Sequence, residues 1–207
     1  MKKLLIPKST LDNVVAEAMG RLTPTIEESF TNVVLQIKKQ MIDEFMDHPV
    51  TEEILNGKSA SNSSGTLGGY GNLFTFIGFE EFSSPLAPII ELLERTNVEV
   101  KYSKRSSIVR VTIYMPTAQD IFKATPFTDW NEGRSWAKGI ESGISGLGYY
   151  INSQGKGKSG AGVQIATKIR GGGFKKTKYI SSLINKYTAL FSRINGAQVK
   201  IKRLKRA

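Results

Sequence analysis

The chain has 207 residues, of which 40% are hydrophobic and 23% are charged, so it is long enough to bury one sizeable core. It contains no cysteine, which excludes disulfides, thiolate metal sites and cysteine nucleophiles, and no apolar run approaches the roughly 18 residues of a membrane span. The formal net charge of +11 is unevenly carried, at −6 over residues 1–100 and +17 over residues 101–207.

The first fifty residues are predicted to form two helices. Apolar residues recur at helical spacing over 11–22, and Gly20 is expected to end or interrupt this first helix. Pro24 suits the first turn of a second helix, whose apolar stripe runs from Ile26 to Phe45. Pro49 is expected to end the second helix, because proline disfavours helical backbone in the residue before it.

The next segment combines a glycine-rich stretch with an aromatic run. A helical turn is predicted over 51–55, and residues 57–72, rich in glycine, serine and asparagine, are predicted to form a long flexible loop or arm. Residues 72–79 are predicted to be a strand because the run is short, apolar and rich in aromatic side chains. A helix is predicted over 85–94, with leucine and isoleucine on one side.

A β-hairpin is the clearest prediction in the middle of the chain. Apolar residues alternate with polar ones from Val98 to Tyr102, and the alternation resumes from Val109 to Met115 after a turn at 103–106. Alternation with a period of two on both arms predicts an antiparallel pair with one buried face.

The last third of the chain is predicted to hold one flexible segment and two regular elements. Four glycines near helical spacing make 137–151 compatible with either a helix or a twisted strand. Residues 152–176 are predicted to be a basic, glycine-rich loop that includes a candidate strand at 163–169. A helix is predicted over 178–194, and alternation at 199–202 predicts a short final strand.

These elements predict an α+β fold in one domain over residues 1–207. An antiparallel sheet would pack with a long N-terminal helix and a C-terminal helix, and glycine-rich loops or arms would extend at 57–72 and 152–176.

Motifs that carry chemistry are weak or incomplete. Residues 155–160 match G-x-G-x-x-G, but no acidic residue follows Glu141, so the ribose ligand of a dinucleotide site is missing. Asn152 stands where a phosphate-binding P-loop needs its first glycine. His48 is the single histidine and is predicted to be structural. Adjacent acids such as Glu52 and Glu53 point in different directions, so the chain is predicted not to be an enzyme and to hold no cofactor or metal.

The polarity of charge has three functional interpretations besides a solvated surface without a partner. The basic half can face nucleic acid, since lysine and arginine neutralise phosphates. It can face an acidic partner protein. Alternatively, the acidic half of one copy can dock on the basic half of the next, as in a head-to-tail ring.

The candidate interface or DNA-facing residues are basic side chains among glycines and aromatic side chains near residue 70. Flexible basic segments bind phosphates, and they also suit arms that order on assembly. The candidates are Lys156, Lys158, Lys168, Arg170, Lys175, Lys176, Lys178, Tyr70, Phe74 and Phe76.

Two stretches resemble a known group of proteins. They are His48–Thr51 continuing through Gly65–Phe79, and Trp130–Ala137 continuing through Gly146–Tyr150. Together they resemble small virion structural proteins of tailed bacteriophages, and the order of elements is similar to that of neck, head–tail joining and tail-completion proteins.

The resemblance implies a virion protein made in the host cytoplasm that acts by assembly. Such proteins usually form rings of six or twelve copies between the portal and the tail tube. Long loops would contact neighbouring subunits and other neck, portal or tail proteins, and a basic surface would line the DNA passage or dock an acidic neighbour. A basic nucleic-acid-binding protein, in packaging or associated with the ribosome, is the alternative, and neither interpretation involves a membrane.

Overall fold

A computed structural model describes residues 8–67, 71–103, 108–126, 135–143 and 175–204. The helices are α1 (Lys8–Met46), α2 (Pro49–Leu55), α3 (Leu73–Ile77), α4 (Ala87–Glu94), α5 (Ala118–Ala124), α6 (Trp136–Ser142) and α7 (Ile180–Ser192), with a 3₁₀ turn at Gly57–Ser59. The strands are β1 (Asn97–Ser103), β2 (Ile108–Met115) and β3 (Gln198–Arg203). The predicted α+β class, with a long N-terminal helix, a sheet and a C-terminal helix, is confirmed.

The N-terminal region is one helix of 39 residues, so the prediction of two helices is wrong. Pro24 lies inside α1, where it has no N–H to donate to the carbonyl of Gly20. The apolar spacing is helical on both sides of this turn, and the helix continues across the missing hydrogen bond. Pro49 begins α2 after the cap at His48, and the predicted turn over 51–55 is confirmed as part of that helix.

The predicted strand over 72–79 is wrong, because the segment forms the short helix α3. The Asn72 side chain accepts a hydrogen bond from the backbone N–H of Thr75 at 3.0 Å and caps the first turn. Gly78 ends the helix in the left-handed conformation, at φ +84°. Leu73 and Ile77, four residues apart, are buried on one side of this turn.

The three strands form one sheet in the order β1-β2-β3. The predicted hairpin is confirmed, with β1 and β2 antiparallel and Val100 opposite Val111. The predicted final strand is also confirmed, and it pairs with β2 in parallel, with Val199 opposite Val111, so the sheet is mixed. The chain returns to this edge of the sheet after α5, α6 and α7, as a parallel pairing requires.

The core lies between one face of the sheet and the helices. Its largest fully buried side chains come from every layer: Phe45 and Met41 of α1, Ile54 of α2, Ile77 of α3, Ile89 and Leu93 of α4, Ile113 of β2, Ile121 of α5, Ile140 of α6 and Phe191 of α7. Elements that are distant in sequence therefore meet in a single apolar cluster, which fixes the relative positions of the surfaces described below.

The remaining sequence predictions divide between confirmed elements and undescribed ones. The helices predicted over 85–94 and 178–194 are confirmed by α4 and α7. Of the ambiguous segment 137–151, residues up to Ser142 are helical and belong to α6. The candidate strand at 163–169 and most of the hairpin turn lie outside the described residues, and the flexibility predicted for 152–176 stays a prediction.

Candidate interaction surfaces

The N-terminal half of α1 carries no buried side chain where side chains are described. Burial along this helix begins around Phe30, which is half-buried, and is complete at Val34, Met41 and Phe45. Side chains described between residues 17 and 29 are exposed or half-buried. At 1.5 Å per residue, about 33 Å of a helix about 58 Å long precedes Phe30.

The apolar stripe of α1 continues into this N-terminal half. Ala18, Leu22 and Ile26 follow one another at intervals of four residues and lead into Phe30. Leu22 is 53% exposed, Ala18 is exposed and Ile26 is half-buried, so the described part of the stripe is largely uncovered. An exposed ion pair between Arg21 and Glu17, at 2.7 Å, contributes only tenths of a kcal/mol. An amphipathic helix of this kind gains most of its stability when its apolar face is covered.

Residues 175–179 form an anchor segment between the glycine-rich stretch and α6. The backbone N–H of Lys175 donates to the carbonyl of Thr66 at 3.0 Å, and that of Thr177 donates to the carbonyl of Ile140 at 3.4 Å. The side chain of Tyr179 is buried, and its hydroxyl lies 2.5 Å from the hydroxyl of Thr51. Backbone contacts on both sides hold this segment in place.

The anchor segment brings three of the predicted basic residues together. Lys175, Lys176 and Lys178 are exposed on it, within four residues of chain. The other predicted basic residues, Lys156, Lys158, Lys168 and Arg170, lie outside the described residues, as does Tyr70.

The two described aromatic candidates face the inside of the protein. Phe74 is 4% exposed and lies 5.6 Å from the ring of Phe79, which in turn meets Trp136 edge-on at 5.4 Å. Phe76 is half-buried against the same core. Phe74 therefore contributes to the packing of the core and leaves no ring face for a partner. Both side chains lie on α3 and not on the predicted strand.

An exposed aromatic side chain that the sequence analysis missed lies a few residues further on. Phe82 is 96% exposed, in a segment that begins with Glu80 and Glu81. Glu81 forms an exposed ion pair with Lys58 at 2.7 Å, which places this segment beside the glycine-rich stretch. The available signal was an aromatic residue between two acids and two serines.

Glu53 is a buried carboxylate that holds the glycine-rich stretch against α2. It is fully buried, and it accepts hydrogen bonds from the backbone N–H of Leu73 at 2.7 Å and of Ser64 at 3.0 Å. Asn72 adds a second set of contacts, since its amide donates to the carbonyls of Lys58 and Ala60 at 2.9 and 3.1 Å. The described part of the predicted arm is therefore tied to the core at both ends.

His48 caps α2 and contacts the anchor segment. Its Nδ1 accepts a hydrogen bond from the backbone N–H of Val50 at 3.2 Å, and its ring lies 4.7 Å from that of Tyr179. Burial lowers the pKa of His48 below its ordinary value of 6.5, although the nearby Glu44 carboxylate opposes the shift. Burial likewise raises the pKa of the Tyr179 hydroxyl. A neutral imidazole in this position accepts the capping hydrogen bond.

A second polar cluster joins α1 to α7. The Glu44 carboxylate accepts hydrogen bonds from the Lys186 ammonium at 2.5 Å and from the Tyr187 hydroxyl at 2.7 Å. The bond from Lys186 is the main cause of a lowered pKa at Glu44. These groups hold two helices together through satisfied contacts, and none of them is left as an unpaired acid or base.

The described parts of the chain contain neither a cluster of metal ligands nor a membrane-spanning helix. There, no three histidine or acidic side chains converge as a metal site would need. None of the described helices combines the length and the apolarity needed to cross a bilayer. A groove between β2, β3 and α7 is lined by Met115, Ile184 and Ile201, and its one guanidinium, that of Arg203, is paired with Asp120.

Comparison of the chain with family models, with curated proteins and with solved structures finds no match.

Proposed function

We propose that this chain is a structural subunit of a tailed-bacteriophage virion that assembles with copies of itself into a ring at the neck, as a head–tail connector or tail-completion protein. The observation that carries the proposal is the uncovered apolar stripe on the N-terminal half of α1. The sequence resemblance to virion structural proteins also supports a role in virion assembly.

The described part of the stripe favours association. Burying Leu22 and the exposed part of Ile26 contributes up to about 1.5–3 kcal/mol each. Their sum of up to about 3–6 kcal/mol offsets part of the loss of rotational and translational freedom on association, about 4–15 kcal/mol. A contact repeated around a closed ring gives each copy two such interfaces.

The charge distribution supports a head-to-tail arrangement. The acidic half of the chain includes α1, where Glu17, Glu28 and Asp43 are exposed, whereas the exposed lysines of the anchor segment belong to the basic half. When a projecting helix of one copy contacts the domain of the next, unlike surfaces meet. Heterologous contacts of this kind close into rings when the rotation between copies allows it.

Sedimentation velocity of the full chain and two variants tests the proposal. Leu22→Glu places a charge in the stripe, and Asn32→Glu places the same charge on an exposed position that lies on the opposite face of α1 from Phe30 and Val34. We expect the wild type and Asn32→Glu to sediment as a closed oligomer and Leu22→Glu as a monomer with unchanged circular dichroism. A wild-type monomer at every soluble concentration, or an oligomer unaffected by Leu22→Glu, would overturn self-assembly through this stripe.

The assignment to the virion has its own test. Mass spectrometry of purified tailed particles from producing cells should detect the chain at a copy number consistent with one ring per particle. Its absence from particles that contain portal and tail proteins would overturn the virion assignment while leaving the ring intact.

A further inference from the structure

The sheet has an outer face that no core residue covers. The inner side chains of the three strands, including Val111, Ile113 and Ile201, pack against the core. By the strand register, the outer face carries Asn97, Glu99, Lys101 and Ser103 of β1, Ile108, Arg110, Thr112 and Tyr114 of β2, and Gln198, Lys200 and Lys202 of β3. Apart from Ile108 at the start of β2, the outer face is therefore polar.

The charge of the outer face is of nearly one sign. Lys101, Arg110, Lys200 and Lys202 are all exposed, and Glu99 is the one acidic side chain that the strands place there. Neighbouring strands lie about 4.8 Å apart and alternate residues about 6.6 Å apart, so the backbone positions of these cations are closely spaced on a rigid support.

The arrangement of these charges costs folding stability. Lys101 lies directly opposite Arg110, and like charges in such a cross-strand pair repel. Glu99 offsets part of this repulsion through its ion pair with Lys101, at 2.6 Å. An anion with regularly spaced charges would relieve the remainder.

Tyr114 lies on the central strand of the outer face, near the end of that strand, but its ring is already engaged. Its hydroxyl donates to the Glu99 carboxylate at 3.3 Å, and the Lys202 ammonium lies 5.7 Å from the centroid of the ring. A ring held in this way offers little surface on which an unpaired base could stack. The contacts open to a nucleic acid are therefore the cations, which bind phosphates and carry no sequence information.

We propose that the outer face of the sheet is a binding site for the phosphate backbone of duplex DNA, without sequence preference. The three strands span about 10 Å, which is close to the distance of about 6–12 Å that separates the two backbones across a groove of B-DNA. The site is distinct from the α1 stripe, so DNA binding and ring assembly can each fail without the other.

Fluorescence anisotropy with a labelled duplex of about 30 base pairs, titrated at several salt concentrations, tests the site. With four cations and one acid on the face, we expect a plot of the logarithm of the binding constant against the logarithm of salt concentration to have a slope of about −3 or steeper. Lys200→Gln with Lys202→Gln should reduce the slope by about 2 and weaken binding by a factor of roughly 50–100 at 100 mM salt. Glu99→Gln, which removes the acid, should strengthen binding about two- to threefold.

A matched control separates the outer face from net charge. Lys39→Gln with Lys123→Gln removes the same charge from exposed positions on α1 and α5, and it should leave both the slope and the affinity nearly unchanged. Equal losses in the two double variants would overturn the site, because binding would then follow total charge.

Two alternative ligands complete the test. A single strand of the same length should bind more weakly than the duplex, and polyglutamate should not compete at equal charge. Preference for the single strand, effective competition by polyglutamate, or no duplex binding at 50 mM salt would each overturn the proposal. The Leu22→Glu variant should keep its duplex binding as a monomer, which distinguishes failure of this site from failure of the ring.

Discussion

Removing the carboxylate of Glu53 should lower the free energy of unfolding more than removing that of Glu52, the other acidic residue of α2. Glu53→Ala leaves the backbone N–H groups of Leu73 and Ser64 without their acceptor, in a site that is closed to solvent at the carboxylate. Hydrogen bonds to a charged acceptor contribute about 1.5–3 kcal/mol each, so we expect a loss of roughly 3–6 kcal/mol. That is a large fraction of a typical total of about 5–15 kcal/mol.

Urea unfolding followed by circular dichroism measures this loss, and two further variants make it specific. Glu53→Gln keeps one carbonyl acceptor but turns an amide donor toward the other N–H, so it should cost about 1–3 kcal/mol. Glu52→Gln changes the neighbouring exposed carboxylate and should stay within about 0.5 kcal/mol of the wild type. A loss below about 1 kcal/mol for Glu53→Ala, or equal losses at the two positions, would refute the role given to Glu53.

Three other predictions address the cap, the sheet edge and the basic loop. Burial favours the neutral form of His48 in the folded state, so the free energy of unfolding should have its full value above pH 6.5 and fall as the pH drops below that value. His48→Asn should remove this pH dependence. Identical pH dependence in the wild type and the variant from pH 5 to 7 would contradict the prediction. Asp120→Asn weakens the capping box of α5 and the contact with Arg203, so urea unfolding should show a loss of about 1–2 kcal/mol, whereas no change would contradict the cap. The basic loop is predicted to order on contact with neighbouring subunits, so deleting residues 152–174, which spares the anchored Lys175, should leave a folded monomer that does not assemble. Normal oligomers by sedimentation would contradict this.

The elements that sequence predicted well are those whose pattern is local and complete. The alternation from Val98 to Met115 carries both arms of the hairpin, and the long apolar face of α7 is unambiguous over thirteen residues. The predicted strand over 72–79 failed because a short apolar run fits either period. The deciding signals were Asn72 and Gly78, a cap and a left-handed terminator spaced for one short helix.

The surfaces depend on information that is not local. The alternation of Val199 and Ile201 with lysines predicted a strand, but its parallel pairing with β2, which assembles the outer face, follows from tertiary packing. Glu53 could not be distinguished from Glu52 by sequence, since its burial depends on residues 64 and 73 folding over it. Pro24 predicted a boundary because proline is common in the first turn of a helix, and the helical spacing on both sides of it does not show whether the two segments form one helix.

Pro24 also determines where the long helix bends most easily. It lies between the part of α1 that is packed in the core and the part that projects, and the turn there lacks one backbone hydrogen bond. Helices kink at such positions, so bending of the projecting arm is concentrated at this turn. In the proposed ring, identical subunits would therefore be able to hold their domains in one orientation while their arms leave at different angles.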